Sequence, residues 1–147
     1  MKRLIILFIL LLTGCSTAQQ SVMCQVVYDD EAGKVERSLL ITHKDNEVVS
    51  VESEDKIYFD DALTQEMAEK LQGELVEKYK NESNITYNTE VMSDYLKISA
   101  KLSNFAKASD LELSMIGLSV TDKTLPIGLS ETLLLNQING YSCEDLD

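Results

Sequence analysis

The chain has 147 residues, with 13 Lys and Arg against 25 Asp and Glu for a net charge of −12, 44% hydrophobic residues, one Pro and three Cys. That length allows one compact domain, and the composition excludes intrinsic disorder, collagen and a disulfide-dense mini-scaffold. The acidic excess also argues against nucleic acid as a partner, because the chain would repel phosphate rather than release counterions from it.

The chain opens with a basic start, Met1-Lys2-Arg3, then nine apolar residues from Leu4 to Leu12, then Thr13-Gly14-Cys15. This is the plan of a secretory signal, and its apolar core is too short for a permanent membrane span of roughly 20 residues. Leu12-Thr13-Gly14-Cys15 resembles the bacterial lipobox. That resemblance implies cleavage after residue 14 and acylation of Cys15 as the new N-terminus. Residues 1–14 are therefore expected to be a signal peptide, 15–21 the lipidated Cys and a short polar tether, and 22–147 a single domain on the extracytoplasmic face of the cell membrane. Losing Lys2 and Arg3 leaves 11 basic against 25 acidic side chains, a net −14. Such a body is repelled by an anionic leaflet and stands off it.

Val22, Cys24, Val26 and Tyr28 alternate as a first strand, closed by the turn cluster Asp29-Asp30-Glu31-Ala32-Gly33. Val35, Arg37, Leu39 and Ile41 alternate in a second, which turns at Asp45-Asn46; Val49 and Val51 open a third that runs to about Phe59. The alternation predicts an antiparallel sheet with one buried face and one wet face. A helix follows: Leu63, Met67, Leu71, Leu75 and Tyr79, joined by Ala68 and Val76, form one apolar stripe. Asp60 and Asp61 stand where a cap and a first-turn acid belong, and Leu71, midway along the stripe, is expected to be fully buried. Glu66–Lys70 and Glu74–Lys78 are spaced for i,i+4 pairing on the outer face. Ile85, Tyr87, Thr89 and Val91 predict a further strand, and Leu96, Ile98, Ala100 and Leu102 another. Residues 105–125 fit neither period. Ser130 to Asn139 read as a last helix with a Ser cap, an inward face of Leu133, Leu134 and Ile138, and Gly140 as its stop. The expected fold is α+β: an antiparallel sheet of about five strands, with one long amphipathic helix and a shorter C-terminal helix packed on one face.

With Cys15 assigned to lipid, Cys24 and Cys143 remain, and an even pair in a secreted chain reads as one disulfide. Two free thiols, or a metal site with the single His43, are the alternatives. His43 beside the turn is expected to be an exposed surface residue. No nucleophile elbow, phosphate loop, HExxH motif or calcium-loop spacing is present. The acid clusters at 29–31 and 60–61 read as turns and caps. No catalytic residue, metal ligand or cofactor is expected.

The lipobox, three strands, a helix ending Glu77-Lys78-Tyr79-Lys80-Asn81, then Ile85-Thr86-Tyr87, Tyr95-Leu96-Lys97-Ile98 and a close at Asn139-Gly140-Tyr141 resemble the small YehR-like bacterial lipoproteins. The resemblance implies the fold and carries no catalytic residues with it. The Cys24/Cys143 pair departs from the better-known members. The functional expectation is a tethered binding or accessory module of the cell envelope, with the membrane, an envelope protein or a basic peptide as partners. Glu66, Glu69 and Glu77 on the outer helix face are the candidate docking residues. The alternative is a hydrolase using two carboxylates on envelope material.

Overall fold

The computed structural model describes residues 18–31, 33–61, 63–118 and 126–146. Residues 1–14, expected to be a signal peptide, and Cys15 lie outside the described residues. Three long strands come first: β1 (Gln20–Asp30), β2 (Gly33–Lys44) and β3 (Glu47–Tyr58). Helix α1 (Gln65–Tyr79), β4 (Ile85–Val91) and β5 (Tyr95–Leu102) follow. A 3-10 turn (Phe105–Lys107), α2 (Asp110–Met115), α3 (Leu129–Ile138) and β6 (Ser142–Leu146) complete the chain. The strands form one antiparallel six-stranded sheet in the order β4-β5-β3-β2-β1-β6. β1 takes in Gln20 and Ser21, which polar composition assigns to the tether.

The turns obey local chemistry. Gly33 has φ +115° after the first hairpin, a conformation that only glycine adopts at little cost. Asp45 has φ +55° at the second, tolerated because a short polar side chain fits the left-handed region. Between Thr42 and His43 the β2–β3 register slips, pairing Thr42 with Ser50 and His43 with Val48. Val49 is thus an extra residue in a bulge, and Val48 and Val51 are the buried pair, not Val49 and Val51 as strict alternation predicts.

The register stacks inward side chains in rows across one face. Val22, Ile41, Val51, Leu102 and Ile85 form one row; Cys24, Leu39, Ser53, Ala100 and Tyr87 form the next. With Leu113, Ile116 and Tyr141 from the C-terminal half they make the main core. All the described helices serve this face. α2 is fastened by Glu112, which is 1% exposed. Its Oε2 accepts from the Ser109 backbone N–H at 2.8 Å, closing a capping box, and its Oε1 accepts from the Asn84 N–H at 2.9 Å. A buried carboxylate here ties α2 to the start of β4.

Burial pushes the Glu112 carboxyl up, but the amides of Ser109, Asn84 and Ile85 outweigh it and hold it below the usual carboxylate range. Because its folded pKa is depressed, its contribution is complete above its unfolded pKa of about 4.3 and is lost as pH falls through the folded value. Glu112→Gln is expected to lower stability at pH 7 by roughly 1–3 kcal/mol. The gap to the parent chain should narrow in chemical denaturation below about pH 4; a gap constant with pH would contradict the assignment.

Four expectations for the helices change. The cap of α1 is Thr64, whose Oγ1 accepts from the Met67 N–H, while Asp60 accepts from the Leu63 N–H just upstream. On α1 only Ala68 is buried; Leu71, Leu75 and Tyr79 are half-buried, and Met67 and Val76 are exposed. Leu71 is therefore not the fully buried centre of the stripe, because α1 rides over the β4 end of the sheet instead of its middle. On α3 the N-cap is Gly128; Ser130 donates its N–H and hydroxyl to Asn46 Oδ1, so the β2–β3 turn caps this helix. Its buried residues are Thr132 and Asn136, with Leu133 packed on the core, while Leu134 (58%) and Ile138 (70%) face outward.

Candidate functional site

Opposite the helices, the other face of the sheet carries no helix among the described residues. Alternation places the remaining strand residues there in rows. Met23, Leu40, Glu52, Lys101 and Thr86 form one; Gln25, Ser38, Glu54, Ser99 and Asn88 the next; Val27, Glu36, Lys56, Lys97 and Glu90 the third. The middle row has short side chains at Ser38 and Ser99, between rows of long Lys and Glu. The result is a trough of about 460 Å³ crossing the strands, lined by Ser38, Ser99, Thr86 and Asn88 with Met23 and Leu40 at one end.

Charge on this face is paired. Lys101 bonds Glu52 at 2.5 Å, Lys97 lies 3.3 Å from Glu54 and 3.8 Å from Glu90, and Lys34 lies 2.7 Å from Glu36. The Lys34 ammonium holds the Glu36 carboxyl below its usual range, with the Tyr58 hydroxyl donating at 3.1 Å as well. Tyr58 and Tyr95 pack at one corner with ring centroids 5.5 Å apart, and Lys34 sits 4.4 Å over the Tyr58 ring. In a chain with net charge −12, this face is close to neutral and rich in hydrogen-bonding groups.

The residues singled out from sequence fall elsewhere. Cys15 lies outside the described residues. Cys24 and Cys143 face each other across β1 and β6 and are joined by a disulfide. Glu66, Glu69 and Glu77 lie exposed on the outer side of α1, where Glu69 accepts from Gln65 and Glu77 pairs with Lys80. The i,i+4 ion pair on α1 is Lys70–Glu74, in place of the expected Glu66–Lys70 and Glu74–Lys78. His43 is buried, not exposed: it continues the inward alternation of Leu39 and Ile41 on β2, and its Nδ1 donates to the Asp45 carbonyl at 2.9 Å. Among the described residues, no cluster of three His, Cys, Asp or Glu is placed to hold a metal ion.

On the helix side, sequence reasoning missed a polar row between the two apolar ends of the sheet. Arg37 and Asp55 meet there in a two-pronged bond, Nε to Oδ1 and Nη2 to Oδ2, both 2.5 Å. The signal was present: both occupy inward positions of their alternating strands. The Asp55 carboxylate raises Arg37 further above its already high range, and the Tyr141 hydroxyl also reaches the guanidinium. Above this pair lies a cleft of about 230 Å³, with Leu75 and Tyr79 of α1 as its roof. The Tyr87 ring packs on Tyr79 at 5.0 Å, and its buried hydroxyl has no hydrogen-bond partner. Burial, then the neighbouring Tyr79 and Asp55, push that hydroxyl up to about 12, so it stays protonated near neutral pH.

No protein-family model matches the chain, and no curated protein matches it by sequence. Two solved structures resemble it. YehR of E. coli, determined by NMR, superposes with a TM-score of 0.67 and 22% identity, covering 90% of this chain and 95% of YehR. A protein from Streptococcus pneumoniae TIGR4 superposes with a TM-score of 0.50 and 16% identity over 84% of each chain. At these identities the likeness is one of architecture. The chain has a YehR-like fold.

Proposed function

We propose that the chain is a lipid-anchored extracytoplasmic lipoprotein acting as a binding or accessory module of the cell envelope, with the uncovered sheet face as its recognition surface. The observation that carries this reading is the trough: a wide, charge-paired, hydrogen-bonding surface on the rigid centre of the sheet. Rigid strands hold such groups in place without loss of entropy on binding. The carboxylates lining the trough, Glu52 and Glu54, each have a lysine partner. That arrangement suits recognition better than the hydrolase alternative, which needs one acid held protonated beside one ionised. The anchor rests on the sequence alone, on Leu12-Thr13-Gly14-Cys15.

Two measurements test the proposal. Cys15→Ser is expected to move the folded protein from the membrane fraction to the soluble one; retention on the membrane would refute lipidation as the anchor. A photo-crosslinking residue at Ser38 or Ser99 is expected to form discrete adducts on intact cells. Adducts formed only from Glu66, Glu69 or Glu77 would move recognition to the outer face of α1, and none from either surface would remove the binding reading.

A further inference from the structure

We infer that the trough on the uncovered sheet face takes a neutral, linear glycan whose pyranose rings lie across the strands. This rests on the reading of that face as the recognition surface and adds the chemistry of the ligand. Charge sets the first limit. Glu52 is held by Lys101 at 2.5 Å, and Glu54 by Lys97 at 3.3 Å and Lys56 at 3.7 Å. An ionic ligand finds no counter-charge there to replace its lost hydration, so the ligand is uncharged. The trough, at about 460 Å³, lies within the roughly 300–1,000 Å³ of ligand sites.

The remaining polar groups select among uncharged ligands. Ser38, Ser99, Thr86 and Asn88 line the trough and are half-buried or exposed, so a bound molecule can reach them. Among the described residues no protein group engages their side chains. Each of these hydroxyls and the amide both donates and accepts. The complement is a ligand whose own groups do both, as sugar hydroxyls do. An extended peptide fits less well, because its N–H groups only donate and its carbonyls only accept. On a sheet a peptide also pairs with a free edge, whereas the amides of these central strands are spent in their ladders. Spacing points the same way. Ser38, Glu54, Ser99 and Asn88 stand on four neighbouring strands, so they recur every 4.8 Å or so and span about 14 Å. One ring of an extended β-linked chain is close to that strand spacing in length, so successive sugars meet successive strands. Met23 and Leu40 at one end offer apolar contact to the C–H face of a ring or to an acetamido methyl.

The test is amide NMR on the full chain, titrated with chitotetraose, with its cationic N-deacetylated form, and with a neutral end-capped serine–alanine peptide of similar length. Chitotetraose is expected to give saturable shifts centred on Ser38, Ser99 and the side-chain amide of Asn88. Asn88→Ala should weaken it about tenfold by removing a donor and an acceptor. Ser99→Gln, which fills the trough midway from an outward position, should abolish the titration and leave the melting temperature nearly unchanged. The inference is overturned if chitotetraose gives no saturable shifts at the trough, or if Asn88→Ala binds it as well as the parent chain; the second comparison decides the matter even if Ser99→Gln fails to fold. Tighter binding of the cationic form would overturn the argument from charge, and tighter binding of the peptide would make this a peptide site. Photo-adducts from Ser38 or Ser99 on intact cells separate this inference from the reading beneath it. Protein adducts without glycan binding leave the recognition surface standing and the glycan refuted, whereas an absence of adducts and of glycan binding refutes both.

Discussion

Leu39→Ala is expected to lower the unfolding free energy by about 3–5 kcal/mol, the upper part of the range for such truncations. Leu39 is 0% exposed on β2, a central strand held by ladders to β1 and β3. Its row neighbours toward β4 are Ser53 and Ala100, too short to swing into the gap. The vacated volume therefore stays largely as a cavity, and the cavity adds to the lost transfer energy. Leu71→Ala, on the incompletely covered stripe of α1, is expected to cost only about 1–2 kcal/mol, because part of its apolar area is already in water and the site can collapse more freely than the sheet centre. Leu134→Ala, on the outer side of α3, should cost less than about 0.5 kcal/mol. Urea denaturation of the three variants gives the ranking. If Leu71→Ala proved the most damaging, α1 rather than the sheet centre would be the keystone of the core.

That ranking marks where local pattern stops being informative. Alternation in the first three strands and in β4 and β5 names nearly every inward residue, because a strand's period of two decides the face once any one residue is placed. The stripe on α1 names the inward side of the helix through Ala68, Leu71, Leu75 and Tyr79, though Met67 and Val76 at its margins are exposed. What period does not encode is how much cover a neighbour supplies, and α1 lies over the β4 end of the sheet, where only Ala68 is sealed. β6 escaped notice because Ser142-Cys143-Glu144-Asp145-Leu146 carries no apolar alternation; its place comes from pairing with β1 and from Cys143. α2 has six residues, too few to show a helical period, although Ser109 and Glu112 spell out its capping box. The trough on the uncovered sheet face was the least legible part. Ser38, Ser99 and Asn88 are unremarkable in their own strands, and they make a trough only when the register of four strands brings them into one row.

Breaking the Cys24–Cys143 bond should have the other large effect. The bond joins residues 119 apart in sequence, and cross-linking so long a loop removes enough disorder from the unfolded chain to be worth about 4–5 kcal/mol in the chain-entropy account. Measured values for native disulfides run lower, so roughly 2–5 kcal/mol is the expected loss on reduction, a fall in Tm of several degrees per kcal/mol in a domain this size. The structural consequence should be uneven. β6 has five residues at the sheet edge, pairs only with β1, and buries none of its residues. Without the bond it depends on that one ladder, whereas β2 and β3 keep the fully buried Leu39, Ile41 and Val51. Just before β6, the buried Tyr141 anchors the return from α3 through its N–H to the Asn136 carbonyl at 3.0 Å and its hydroxyl to Arg37. Hydrogen exchange after reduction should therefore show β6 unprotected, α3 weakened toward its C-terminal end, and β2 and β3 unchanged. Uniform loss of protection would mean that the disulfide holds the whole fold rather than its edge, and alkylation of both thiols in unreduced protein would mean that the bond does not form.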